Sequence, residues 1–159
     1  MNFEAMADFS IGGCYIAGFA QAREPHVGVL VPTTATSGTL VHIRIDRAAS
    51  PNWELQIREQ KIAGDMFLTS LLKIAEPGAV SVESLIAHAE QTPVPSNDEF
   101  GECFPWAITL VERLRVHGLV KVKDMDGLQA EFRDFVGGNR QYARRDRFPN
   151  VASSAFCGL

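Results

Sequence analysis

One cysteine and two histidines have the residue types and positions that could do chemistry in this sequence. Cys103 follows a loop rich in proline and acidic residues, and it begins a segment with the apolar spacing of an amphipathic helix. Backbone N–H groups at a helix start have no acceptor within the helix, and together with the helix dipole they favour negative charge. We therefore expect a lowered pKa for the Cys103 thiol and a helix start able to hold an oxyanion.

The same position also suits an ordinary core cysteine. Free cysteine is among the most buried residue types, and Cys103 shares its helix stripe with Leu110 and Leu114. Glu99 and Glu102 lie close by in the sequence and would raise the pKa of the thiol if they point at it. Position alone therefore leaves both a reactive and a structural cysteine open.

A nucleophilic cysteine needs a base, and the base needs a polar group that orients it. His26 opens the strand-like segment ending at Val31, and His42 lies within the next one, Leu40 to Ile45. The connector, residues 32–38, contains proline, threonines and glycine, as hairpin loops do. The register of this hairpin decides whether the two imidazoles share a face of the sheet, because a slip of one residue would separate them.

The third member of such a constellation stays open in the sequence. Four polar residues on or near the hairpin could orient His26: His42, Asp46, Glu54 and Gln56. The reactive arrangement requires the Cys103 sulfur to lie within hydrogen-bonding distance of one imidazole nitrogen.

The segments that must position these residues read first as strands and then as helices. The predicted strands are Cys14 to Phe19, Val27 to Val31, Leu40 to Ile45, Trp53 to Ile57 and part of Met66 to Ile74. The predicted helices begin at Ser81, at Cys103 and at Leu128. This order predicts an α+β fold, a small antiparallel sheet packed against helices. We expect a single domain over residues 1–159, with a core at about 14–136 and a loosely packed basic and polar tail at 139–159.

Composition narrows the classes of function. The chain has 159 residues, of which 46% are hydrophobic, and 15 basic against 19 acidic residues give a net charge of −4. This balance argues against general attraction to nucleic acid, and four arginines in the tail are expected to be solvated: Arg140, Arg144, Arg145 and Arg147. Three widely spaced cysteines without a CxxC pair suggest a reducing compartment, and no apolar stretch is long enough to cross a bilayer. We expect a cytoplasmic protein.

Neither a metal nor a cofactor is expected. The sequence has no CxxC or HExxH pair, no GxSxG elbow and no phosphate-binding glycine loop. Zinc accepts nitrogen and sulfur ligands, so a site built from His26, His42 and Cys103 is chemically possible, but their spacing is not that of a ligand pair.

Three short motifs occur in an order that resembles a known family. They are His26-Val-Gly-Val-Leu-Val31, Val41-His42-Ile43 and Glu102-Cys103-Phe104-Pro105-Trp106-Ala107, with Gly118 after the helix. Over roughly residues 24–118 the chain resembles circularly permuted papain-like (NlpC-type) cysteine domains, such as the lecithin retinol acyltransferase family and small fungal papain-like proteins. The resemblance implies that Cys103 is the nucleophile, His26 the base and His42 the group that orients it. The family often has Asn where this chain has Glu102.

Two functions follow as expectations. The first is a cysteine-dependent enzyme that hydrolyses amides or esters, or transfers acyl groups, through a thioester on Cys103. Its substrate would be a small-molecule or peptidyl acyl compound, and Trp53 and Trp106, expected to be core aromatics, would also contribute to the substrate site. The second is a non-catalytic member of the same fold that binds a ligand or a protein, which Glu102 and the acidic loop before Cys103 favour. The oligomeric state is left open.

Overall fold

Six strands form one sheet, and three helices cover one of its faces. The computed structural model describes residues 8–21, 24–46, 48 and 51–159. The strands are β1 (Cys14–Phe19), β2 (His26–Pro32), β3 (Ser37–Arg44), β4 (Glu54–Lys61), β5 (Leu68–Ala75) and β6 (Asn150–Ser153). The helices are α1 (Val82–Glu90), α2 (Cys103–Val116) and α3 (Met125–Gly137), followed by a 3-10 turn at Arg140–Tyr142.

The sheet has the order β4-β3-β2-β1-β5-β6. Neighbouring strands are antiparallel except β5 and β6, which are parallel. The predicted α+β class with a mostly antiparallel sheet is therefore confirmed. The first five strands overlap the segments that the hydrophobic patterns predict, including the one ending at Ile74, whose pattern suits a strand or a helix. β4 continues to Lys61, beyond its predicted end at Ile57.

The main core lies between the helices and one face of the sheet. The apolar stripe of α2, predicted to contain Cys103, Leu110 and Leu114, is buried there. Its members are Cys103, Trp106, Ala107, Leu110, Val111 and Leu114. A smaller apolar cluster on the opposite face contains Tyr15, Leu30 and Leu40. The helices have 9, 14 and 13 residues, and none in the described part of the chain has the length and hydropathy needed to cross a membrane.

The segment 139–159 differs from the loosely packed tail that its composition suggests. β6 pairs with β5 as an edge strand, and Phe148 is buried in the smaller apolar cluster. The amide of Asn139 donates a hydrogen bond to Ser70 Oγ at 2.9 Å, and that of Asn150 donates one to Asn139 Oδ1 at 3.0 Å. The expectation was wrong because backbone pairing and buried amides, which leave no hydrophobic pattern, hold this segment.

Candidate active site

The register of the β2–β3 hairpin brings His26 and His42 together. Val29 pairs with Val41 and Leu30 with Leu40, so His26 and His42 share the face of the sheet opposite the helices. Continued toward the start of β2, this register leaves the two histidines diagonal to each other. Their rings meet edge to face, with centroids 4.8 Å apart.

Gly28 makes room for this contact. A Cβ atom on Gly28 would lie 2.8 Å from Leu40 Cδ1 and 3.0 Å from His42 Cβ, closer than side-chain atoms pack. The missing side chain thus lets His42 lie close to β2 on the side facing His26. The glycine is needed here for space, since its backbone is ordinary strand.

A chain of hydrogen bonds runs across three neighbouring strands. His26 Nε2 lies 2.5 Å from His42 Nδ1, and His42 Nε2 lies 2.7 Å from Gln56 Oε1. His42 and Gln56 are directly paired residues of β3 and β4. Gln56 is one of the alternatives considered for the third member, and the structure places it behind His42 rather than instead of it.

The amide oxygen of Gln56 determines where the protons lie in this chain. Because that oxygen can only accept, His42 Nε2 carries the proton and donates it. A neutral His42 then accepts at Nδ1, so His26 Nε2–H is the donor of the shorter bond. In neutral His26 the remaining nitrogen, Nδ1, is unprotonated and available as a base.

Burial keeps both imidazoles neutral. It lowers the pKa of His26 to about 4, with the guanidinium groups of Arg58 and Arg44 acting in the same direction. Burial also lowers the pKa of His42 to about 3; His26 and the two arginines add to this effect, and the bond to Gln56 opposes it. At neutral pH the pair is therefore uncharged.

The start of α2 brings Cys103 to the first residues of β2. The Cys103 thiol donates a weak hydrogen bond to the carbonyl oxygen of Pro25 at 3.9 Å. Gly101, two residues before the cysteine, has φ +85°, and a Cβ atom there would lie 2.7 Å from a carboxylate oxygen of Glu24. Glycine is thus favoured at 101 by its left-handed backbone, and the Glu24 carboxylate, the end of a flexible side chain, occupies the space beside it.

The thiol does not have the lowered pKa that the helix start suggests. Burial raises the pKa of Cys103 and outweighs the backbone N–H groups of Val27, Phe104 and Cys103 itself, which lower it. The Glu24 carboxylate raises the pKa further by repelling the thiolate. The expectation failed because α2 begins inside the core, where Cys103 is only 5% exposed.

Among the described residues no hydrogen bond joins the Cys103 sulfur to an imidazole. In place of the expected bond to an imidazole, the thiol donates to the backbone carbonyl of Pro25, the residue directly before His26. Cys103, His26 and His42 nonetheless line one cleft of about 790 Å³.

Other side chains of the cleft divide into those predicted and those missed. Trp53 lines it, and its indole N–H donates to the carbonyl of Glu99 at 3.0 Å, which ties the start of β4 to the loop before α2. Trp106, the other expected substrate-binding residue, is 3% exposed and lies in the main core instead. The missed residues include Glu24, Arg44, Arg58 and two exposed aromatics, Phe67 and Phe100.

Both ring nitrogens of His42 are engaged, one with His26 and one with Gln56, which leaves none to bind a metal in this arrangement. No group of three or more His, Cys, Asp or Glu side chains suited to a metal ion occurs within the described ranges.

Comparisons with family models, curated proteins and solved structures found no match for this chain.

Proposed function

We propose that this protein is a cysteine-dependent acyl-transfer enzyme of the permuted papain-like kind. The observation that carries the proposal is the His26–His42–Gln56 hydrogen-bond chain beside the cleft that Cys103 lines, because with Gln56 Oε1 as the acceptor it leaves His26 Nδ1 unprotonated. The substrate is a small-molecule or peptidyl ester or amide. The three cysteines are free, which suits the reducing conditions of a cytoplasm.

The proposed reaction begins from an uncharged cysteine and histidine. The thiol turns from the Pro25 carbonyl toward His26 Nδ1, which takes its proton as the sulfur attacks the carbonyl carbon of the substrate. The bond from that carbon to the leaving oxygen or nitrogen then breaks, and His26 returns the proton to the leaving group. A thioester on Cys103 remains, and water, an amine or an alcohol releases it in the second half-reaction.

The N–H groups around the sulfur favour the thiolate that forms as His26 takes the proton. Val27, Phe104 and Cys103 each point a backbone N–H at Sγ and favour its charged form. Backbone donors of this kind are already oriented, so they need no rearrangement during the reaction. His42 and Gln56 orient His26 and stabilise the imidazolium that forms on it.

The proposal is tested with p-nitrophenyl acetate, whose turnover releases p-nitrophenolate and leaves an acetyl group on the nucleophile. We expect acetylated Cys103 in the wild type, detected by peptide mass spectrometry, and none in Cys103→Ala. His26→Ala should slow acetylation by about a hundredfold or more, the usual effect of losing a general base. Cys157→Ala, which removes a partly exposed thiol outside the cleft lining, is the matched control and should react like the wild type.

Two results would contradict this proposal. One is turnover by Cys103→Ala above about a tenth of the wild-type rate, since general acid–base catalysis without covalent attack would then suffice. The other is a wild type that releases p-nitrophenolate no faster than buffer.

The second candidate is a binding protein with the same fold. It is favoured by the raised pKa of the Cys103 thiol and by the thiol's bond to a carbonyl rather than to an imidazole. A protein of this kind would use the cleft to hold a ligand without attacking it.

Alkylation by iodoacetamide separates the two candidates. For the enzyme we expect Cys103 to be alkylated near neutral pH, faster than its raised pKa alone allows, and His26→Ala to suppress the reaction. For the binding protein the rate should follow the fraction of thiolate and be the same in His26→Ala.

A further inference from the structure

Two arginines line the cleft on the side of the histidines. Arg44 and Arg58 lie on β3 and β4, on the same sheet face as His42 and Gln56, because even-numbered residues of both strands point the same way. Both guanidinium groups line the same cleft as the two imidazole rings, and their positive charges lower the pKa of His26 and of His42.

These two positive charges are poorly matched by the carboxylates nearby. Arg58 donates to the neutral amide oxygen of Gln60 at 2.8 Å, and it forms no ion pair with another described residue. Arg44 reaches Asp46 only at 3.9 Å, with both side chains nearly half exposed. Such an exposed ion pair contributes little to stability, so Arg44 can release Asp46 and bind another anion.

The acidic side chains that line the cleft are engaged elsewhere. Asp65 accepts hydrogen bonds from the amide of Gln60 at 2.7 Å and from the backbone N–H of Phe67 at 2.9 Å. Glu24 lies over Gly101, beside the thiol. The Glu24 carboxylate therefore lies beside the sulfur, whereas Asp65 lies on the side of the arginines and is linked to Arg58 only through the neutral amide of Gln60, without an ion pair.

We propose that Arg44 and Arg58 bind a carboxylate or phosphate group of the substrate. Guanidinium groups present paired donors that match the oxygens of both anions. This inference rests on the proposed function and deepens it: the ester or amide bears an anionic group near its reacting carbonyl. The anion would lie over β3 and β4, and the carbonyl would face Cys103.

The test compares iodoacetate with iodoacetamide at Cys103. In both reactions the sulfur forms a bond to the CH₂ carbon, iodide leaves with the electron pair, and the thiol proton is released, but only iodoacetate has a carboxylate. The ratio of the two rates cancels the intrinsic reactivity of the thiol. It therefore measures preference for the anion even in a protein that transfers no acyl group.

We expect the ratio of the iodoacetate rate to the iodoacetamide rate to fall about fivefold in Arg58→Gln. The separate variant Arg44→Gln should show a fall of the same size, because each removes one charge that acts at close range in water. Lys61→Gln removes a positive charge from the same strand but outside the cleft lining, and should leave the ratio unchanged. Acetate and inorganic phosphate, added separately, should slow labelling by iodoacetate, and the stronger competitor identifies the preferred group.

An unchanged ratio in both arginine variants, an equal fall in Lys61→Gln, or no competition from either anion would overturn the inference. An arginine-dependent ratio in a protein that does not turn over p-nitrophenyl acetate would support the anion site while contradicting the proposed function. The two failures are therefore distinguishable.

Discussion

The role of each nitrogen in the histidine pair is decided by a single partner. Gln56 Oε1 can only accept, so it selects the tautomer of His42, and His42 in turn selects that of His26. A residue that touches neither sulfur nor substrate thus decides whether His26 offers a lone pair or a proton. Gln56 is a positioning residue in the proposed reaction.

Replacing Gln56 tests this role. In Gln56→Leu, His42 loses the acceptor that selects its tautomer, so we expect alkylation of Cys103 at neutral pH to slow about tenfold, a modest part of a general base's contribution. Gln56→Glu keeps an acceptor at the same position and should retain the rate. Nitrogen-15 spectra of the imidazole rings check the cause directly, because the two tautomers have different shifts at Nδ1 and Nε2.

The wild-type spectrum should show protons on Nε2 of both His26 and His42. A proton on Nδ1 of His26 would contradict the arrangement, and so would a Gln56→Leu variant that keeps both the wild-type tautomers and the wild-type alkylation rate.

Two local elements build the candidate site, the β2–β3 hairpin and the start of α2. The hairpin register places the histidines on one face, and Gly28 lets them meet. The loop that turns at Gly101 brings the first residue of α2 beside Pro25 and Val27. Both elements depend on a glycine, Gly28 for space and Gly101 for a left-handed backbone.

Gly28→Ala tests the hairpin. The new methyl group would press on Leu40 and His42, and overpacking of this kind costs about 1–3 kcal/mol. We expect the free energy of unfolding in urea to fall by that amount. The alkylation rate of Cys103 should also fall, because His42 is pushed away from His26.

Gly137→Ala is the matched control. Gly137 ends α3, and a Cβ atom there meets nothing within 4 Å, so the helix should be unchanged or stabilised by up to about 1 kcal/mol. Equal stability of Gly28→Ala and Gly137→Ala would contradict the packing argument.

At the scale of the whole molecule, folding buries His26 and His42 in the sheet and keeps both imidazoles neutral. Unfolding would expose His26 and His42, whose pKa values would return from about 4 and about 3 to the ordinary 6.5. The unfolded chain then binds more protons than the folded one at mildly acidic pH. The contribution of the neutral histidines to stability is therefore complete at a pH above their pKa in the unfolded chain. It is lost as the pH falls below that pKa toward their pKa values in the folded protein.

We expect the free energy of unfolding to decrease from about pH 7 to pH 5, with each of the two histidines contributing a slope of up to about 1.4 kcal/mol per pH unit. His42→Gln should remove one such contribution. Cys103→Ala, which leaves both imidazoles in place, should keep the wild-type slope. Urea titrations across this range measure the slope, and parallel curves for wild type and His42→Gln would contradict the assignment.

Much of the architecture could be predicted because local patterns record it. The α2 stripe repeats at helical spacing, and β1 is a short apolar run bounded by loop residues, so each element is visible in its own residues. β6 could not be found in this way. Its four residues are held by pairing with β5, and that pairing depends on where the chain returns after α3.

The sequence by itself determined which groups could do chemistry, because the residue types and the strand and helix patterns around Cys103, His26 and His42 are local properties. The tertiary structure decided the register that joins the histidines, the place of Gln56 behind them and the removal of Trp106 from the cleft. It also reversed the expected pKa of the thiol. Each of these properties depends on contacts between residues that are distant in the chain. The effect of burial on the thiol pKa exceeds that of the helix dipole only once the core has formed around the sulfur.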